Sequence, residues 1–203
     1  PVIVSGVYQG RTCGAPLCVL IDNKDVRSAD YEKLRDMPRP GHADYPAEVK
    51  YGGYQDIRGG GHFSARITAA LCVGGGILAQ LLEARGVRIG AHLLSVGDVE
   101  DEPYDLLRVS VDDLQQSQSG FPVRNDTAGD RMKALIDQVR SAGDSIGGTV
   151  ECAVIGLPAG LGEPMFDGME NAVAQAVFAI PAVKGIEFGA GFAAARLRGS
   201  ENN

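Results

Sequence analysis

The 203 residues, 44% of them hydrophobic and carrying a formal charge of −7, can bury a real core as one large domain or two small ones. The acidic balance argues against broad binding to nucleic acid or anionic membranes, which need a basic face, so an anionic ligand must meet a local basic cluster. Four cysteines with no C-x-x-C and no His/Cys ligand spacing argue against structural zinc, and no metal site is expected.

Residues 1–10 carry no basic leader ahead of an apolar core, and the chain opens at Pro1 directly on a strand-like run, as an excised piece of a longer protein would. Residues 2–4 and 17–21 read as two strands joined by a turn-rich loop ending Gly10-Arg11-Thr12-Cys13-Gly14-Ala15-Pro16. Asp22–Ser28 is polar and turn-prone, a solvated loop. Met37–Gly61 holds prolines, glycines and tyrosines without sustained periodicity. Long loops of that kind are functional or disordered, and here the tyrosines and aliphatics argue for order. Phe63–Leu82 has the length and alanine/leucine content of a buried helix. Arg66, Thr68, three consecutive glycines and Gln80 interrupt it, which argues for a core helix over a membrane span.

Gly74-Gly75-Gly76 inside that helix costs roughly 1 kcal/mol per glycine relative to alanine. Close backbone packing is the expected offset, making the helix central and covered on several sides. Gly86 stops it, and Val87–Val96 reads as a strand. His92, alone in that strand, reads as packed or solvent-facing. Cys72 and Cys152 lie in apolar runs and read as buried free thiols, which suits a reducing cytoplasm. Residues 97–126 form a polar surface excursion with a short helix around Val111–Gln116. A helix runs from Asp126 to about Ala142, with Met132, Leu135, Ile136 and Val139 on one face. Gly143–Gly148 breaks it; the hexamer lacks the endings of phosphate and dinucleotide loops and reads as a turn into a strand at Thr149–Ile155. Gly156–Pro164 is a connector, Gly168–Ala179 a helix and Val183–Phe188 a strand. Gly189–Asn203 starts glycine-rich and ends polar without a capping structure. Short, polar-interrupted strands favour an α+β layered sheet over a doubly wound parallel one.

The densest basic stretch runs from Arg39-Pro40-Gly41-His42-Ala43-Asp44-Tyr45 through Arg58-Gly59-Gly60-Gly61-His62-Phe63-Ser64-Ala65-Arg66. Gly59–Ser64 is expected to form the N-terminus of the apolar helix, where amides without internal partners and the helix dipole attract anions. Arg39, Arg58 and Arg66 would add forked donors shaped for phosphate or carboxylate. The stretch reads as an anion-binding active site.

Those segments, with Lys50-Tyr51-Gly52, Asp56-Ile57-Arg58, Val4–Val7, Ile21–Tyr31, Gly143–Gly147, Gly156–Pro164, Val183–Glu187 and Leu197–Ser200, occur in the same order in one family. The chain resembles chorismate synthase through nearly all of its length, as a single-domain fragment spanning 1–203. The resemblance implies an α+β fold, a layered β-α-β sandwich with helices between antiparallel sheets, incomplete in this fragment. It also implies a cytoplasmic lyase of the shikimate pathway of aromatic amino-acid biosynthesis. That enzyme converts 5-enolpyruvylshikimate 3-phosphate to chorismate by 1,4-anti-elimination of phosphate, with reduced FMN required and no net redox change. The family is a flavoprotein one, associated with FMN and NADP, and homotetrameric at full length; no nucleic-acid or membrane partner is implied. By position, Arg39, Ser64 and Arg66 would bind substrate, and His62, Phe63 and Ser64 would contact FMN. His42 would be a catalytic histidine tied to the protonation state of the reduced flavin, a role that suits an imidazole with a pKa near 6.5. Arg58 is a rim charge or a further ligand, and Asp44 a partner orienting His42 or Tyr45.

Two departures stand out. His62-Phe63-Ser64-Ala65-Arg66-Ile67 replaces the family's Arg-Ser-Ser-Ala-Arg-Glu, which alters the FMN contacts. The Gly-Glu-Ser-His-Gly segment with the family's other catalytic histidine, and the downstream segments that complete the flavin and phosphate sites, are not in these residues. The isolated chain is therefore expected to be inactive. The competing reading is a non-catalytic anion-binding or assembly module derived from the same family.

Overall fold

A computed structural model describes residues 1–24, 27, 31, 36–116 and 120–202. Residues 25, 26 and 28–30 of the expected loop and Ile21–Tyr31 motif, residues 117–119 of the polar excursion, and Asn203 lie outside the described residues, as do 32–35. The chain divides into two compact units, Pro1–Gly76 with Met169–Ile186, and Ile77–Gly168 with Glu187–Asn203.

In the first unit β1 (Val2–Ser5), β2 (Val7–Tyr8), β3 (Arg11–Thr12) and β4 (Cys18–Leu20) follow one another. β1 pairs antiparallel with β4, Val2 opposite Leu20, and β2 with β3 as a small hairpin inside the expected loop. The stretch read as loop from Met37 to Gly61 contains a helix, α1 (Asp44–Tyr51), ending at Gly52. Three local features hid it. It has eight residues, no side-chain N-cap at Ala43, and Pro46 in the first turn, where proline costs no helical hydrogen bond.

The apolar helix is α2 (Thr68–Glu83), led in by a 3-10 turn at Ala65–Ile67. Ser64 caps the turn, its Oγ accepting the Arg66 N–H at 3.2 Å. Gly86, with φ +82°, ends the helix as Val87 N–H donates to Leu82 O at 3.0 Å. Its expected burial is not found. No residue of α2 is buried, and Leu71, Leu78 and Leu81 are 57%, 58% and 51% exposed. A Cβ on Gly74, Gly75 or Gly76 would meet nothing within 4 Å, so the close packing expected to offset the glycines is not found on their Cβ side among the described residues, and Cys72 is an exposed thiol. Apolar composition sets what a helix gains by burial; whether a covering element exists is a tertiary matter. By length and composition alone, Ala65–Glu83, with a mean hydropathy of 1.6, could cross a membrane.

The second unit is built on a three-stranded antiparallel sheet, β5 (Arg88–Val96), β6 (Val99–Glu100) and β7 (Gly148–Ile155), in the order β6-β5-β7. α3 (Val111–Gln116) presses Leu114 onto Gly90 of β5 so closely that a Cβ there would lie 2.7 Å from the leucine. α4 (Asp126–Ser141) starts at Asn125, whose Oδ1 accepts the Thr127 N–H at 2.9 Å, a cap that satisfies an orphan amide. Its Met132 is fully buried with Val96, Val99 and Val123, and Leu135 and Ile136 pack against them. That is the face the helical spacing predicts. Strand alternation turns Glu151 and Ala153 inward and leaves Cys152 and Val154 exposed, so the expected burial of Cys152 is not found either. The odd/even rule fixes which face a residue takes and not whether that face is covered.

α5 (Met169–Phe178) completes the helices of the first unit. The strand expected at Val183–Phe188 is irregular instead, since a β-prone run becomes a strand only where a neighbour offers a ladder. The C-terminal stretch holds a 3-10 turn at Gly191–Arg196 and α6 (Gly199–Asn202) in place of an uncapped polar end. Among the described residues every strand pairing is antiparallel and helices alternate with the strands along the sequence, the α+β class expected.

Candidate active site

The basic stretch converges within the first unit. Gly59, Gly60 and Gly61 have φ of +65°, +81° and +56°, a left-handed path that only glycine follows without strain. They form a bend ahead of Ser64, so the helix starts about five residues later than the glycines suggested. A Cβ on Gly60 would lie 3.4 Å from Ser64 Cβ, 3.8 Å from Arg39 Nη2 and 3.9 Å from His42 Nε2. One on Gly59 would lie 3.5 Å from Arg66 Nη1. Arg39, His42, Ser64 and Arg66 therefore gather around one glycine bend, and the missing side chains keep the space between them open.

The cations differ in what they have left to offer. Arg39 is committed: its Nε–H and backbone N–H donate to Asp44 Oδ2 at 2.8 and 3.0 Å, and its Nη2 to Oδ1 at 3.0 Å. That fork holds Asp44 far below the usual carboxylate range, with burial working the other way and the Arg39 amide and His42 adding to the depression. The same fork raises Arg39. His42 Nδ1 is 2.6 Å from Asp44 Oδ1. Arg58 is paired at the surface with Asp56 at 2.7 Å and lowers that carboxyl to about 2, so of its two readings the rim charge fits. Arg66, exposed beside Gly59, makes no ion pair among the described residues, and a guanidinium in that state is the more open anion ligand.

His62 and Phe63 lie against each other with ring centroids 4.2 Å apart and planes tilted by 37°, and Tyr51 closes on them at 5.5 and 6.2 Å. Phe63 also lines a shallow hollow with Arg39 and Gly60. Asp44, Glu48 and Asp56 line the same hollow, so an anion is favoured on the Arg66 side of the bend. Sequence reasoning gave Tyr51 no role although it sits in the quoted Lys50-Tyr51-Gly52; α1 is what carries its ring back to His62. Ser64 spends an oxygen lone pair on the Arg66 amide and keeps its hydroxyl proton for a ligand. His92, read as packed or solvent-facing, is packed and belongs to the other unit. Among the described residues no three His, Cys, Asp or Glu side chains are arranged to hold a metal ion.

The chorismate synthase family profile matches residues 1–203. Chorismate synthase of Korarchaeum cryptofilum is 47% identical over 203 residues, covering 99% of this chain and 55% of the relative. That of Thermococcus kodakarensis is 46% identical, covering 100% and 55%. A crystal structure of chorismate synthase superposes with a TM-score of 0.73 at 27% identity, covering 98% of this chain and 56% of that one. The chain thus spans about half the length of the curated relatives it matches. Matched from end to end by profile, sequence and fold, the chain belongs to the chorismate synthase family.

Proposed function

We propose that this chain supplies part of the active site of a chorismate synthase acting on 5-enolpyruvylshikimate 3-phosphate. In that elimination the carbon–oxygen bond to phosphate breaks with its electron pair leaving on phosphate, a ring proton is lost, and the ring gains a double bond. The observation that carries the reading is the convergence of Arg39, His42 and Ser64 on Gly60 with Arg66 beside them, in a chain of this family. A substrate with one phosphate and two carboxylates needs fixed cationic and hydroxyl donors, and these side chains are preorganised around an open space. Arg66 and the Ser64 hydroxyl bind the anionic groups, with Arg39 bordering the same space.

The residues also suit a flavin. The His62–Phe63 pair with Tyr51 gives a cluster of aromatic rings, and the Gly60 bend leaves room that a Cβ would fill. His62, Phe63 and Ser64 would hold FMN there. Bound there in its reduced form, the flavin would supply electron density reversibly, in keeping with an elimination that has no net redox change. His42 holds or releases a proton at its ring.

The test is chorismate formation by the full-length protein with reduced FMN supplied. Arg66→Ala should raise KM for the phosphorylated substrate, and His42→Ala should lower kcat by roughly 100-fold or more. Unchanged kinetics in both variants would refute the assignment. The 203-residue chain by itself is expected to give no turnover.

A further inference from the structure

Asp44 sits in the first turn of α1, where the helix dipole favours its charge, and among the described residues its four close side-chain contacts are with donors. Oδ2 receives the backbone N–H and Nε–H of Arg39, and Oδ1 receives Arg39 Nη2. The fourth contact is His42 Nδ1, 2.6 Å from Oδ1. An ionised carboxylate accepts and cannot donate, so the proton in this contact belongs to Nδ1. Arg39 Nη2 stands 3.1 Å from Nδ1 and 3.3 Å from Nε2. With Nδ1 donating to Asp44, Nε2 is the ring nitrogen able to accept from that guanidinium. The two neighbours therefore select one form of the neutral ring, a donor at Nδ1 and an acceptor at Nε2. Nε2 is also the nitrogen that faces the Gly60 bend, 3.9 Å from where a Cβ would be.

We infer that Asp44 is a positioning residue that holds His42 in its Nδ1–H tautomer, so that Nε2, turned toward the glycine bend, is the nitrogen that takes up and gives up a proton. Arg39 fixes the carboxylate and marks the resting state of Nε2; a proton arriving there displaces the Arg39 contact. The catalytic consequence rests on the function proposed above, whereas the tautomer is a property of the folded chain alone.

The experiment is long-range proton–nitrogen NMR on the full-length protein with 15N-labelled histidine, at an alkaline pH where the ring is neutral. The wild type should show His42 with a protonated Nδ1 and a bare Nε2. In Asp44→Ala the ratio should move toward the Nε2–H form, and Asp44→Glu should restore it in part. In the same variants kcat should fall roughly 10- to 100-fold for alanine, the scale of losing an orienting partner, with KM little changed and partial rescue by glutamate. A wild-type ring carrying its proton on Nε2 overturns the inference, as does an unchanged ratio in Asp44→Ala. If that variant does not fold, the wild-type spectrum decides by itself. A wild type with the stated tautomer and no chorismate formation refutes the proposed function and supports this inference.

Discussion

His92 and Glu151 stand opposite each other across the β5–β7 ladder, with the ring's Nε2 2.8 Å from Glu151 Oε2. The other ring nitrogen lies 3.0 Å from Asp101 Oδ2, and the His92 and Asp101 side chains are fully buried. Asp101 also accepts the backbone N–H groups of Arg124 and Asn125 at 2.6 and 2.9 Å, and Tyr104 N–H donates to Glu151 Oε2 at 2.8 Å. One imidazole thus ties two strands to the turn after β6 and to the segment that enters α4.

Removing that ring takes away the group that joins Asp101 to Glu151 and leaves Asp101 Oδ2 and Glu151 Oε2 each with a backbone N–H alone. His92→Leu should destabilise the second unit by about 3–5 kcal/mol, the cost of breaking a buried pair from one side, read as a lower urea midpoint followed by circular dichroism. A loss under about 1 kcal/mol, the scale of an ordinary net hydrogen bond, would show that the ring does not hold the unit together.

Acid should weaken the protein through Asp101 and Asp44. At Asp101 burial pushes the carboxyl upward but is outweighed by amide donation from Arg124, Glu102 and Asn125 and by His92, so its folded pKa is lowered. Asp44 is lowered mainly by the Arg39 fork. Groups depressed in the folded state stabilise it above the unfolded carboxylate pKa of about 3.9, and that contribution is lost as pH falls from there through the folded values. Asp101→Asn should be less stable than wild type at pH 7 and show a shallower loss on acidification, measured as unfolding midpoint against pH. Parallel curves would remove Asp101 as a contributor.

The glycines of the bend and of α2 should respond in opposite directions. Gly60→Ala places a side chain at φ +81° among Ser64, Arg39 and His42 and should cost roughly 1–3 kcal/mol while weakening flavin binding in a fluorescence titration. Gly61→Ala should be worse, because its Cβ would run into the Asp56 carbonyl oxygen. Gly75→Ala meets nothing within 4 Å and should stabilise the helix by up to about 1 kcal/mol.

Thiol labelling separates the two cysteines expected to be buried. Cys72 and Cys152 are both exposed in the folded chain, so both should label without denaturant in the 203-residue chain. Packing of neighbouring atoms pushes the Cys152 thiol up, and the thiolate is the reactive form, so at pH 8 Cys152 should react more slowly than Cys72.

Much of the second unit was legible because its signals are local. Met132, Leu135 and Ile136 repeat at helical spacing, Gly86 and Gly143 stop helices, and the Val87–Val96 and Thr149–Ile155 runs are long enough to declare strands. α1 escaped because it has no apolar stripe and no capping side chain at Ala43. Val183–Phe188 misled because strand propensity says nothing about whether a partner strand stands nearby.

The sequence by itself determined the family, the main strands and helix of the second unit and the residue types at the basic bend, since ordered motifs and hydrophobic periods are properties of neighbours along the chain. Only the tertiary structure decided that Arg39 is spent on Asp44 while Arg66 stays open, that Tyr51 joins His62 and Phe63, that His92 is clamped by Asp101 and Glu151, and that α2 lies uncovered. Each of these depends on which distant groups the fold brings within hydrogen-bond or van der Waals reach, and those forces act over a few ångströms of space whatever the separation in sequence.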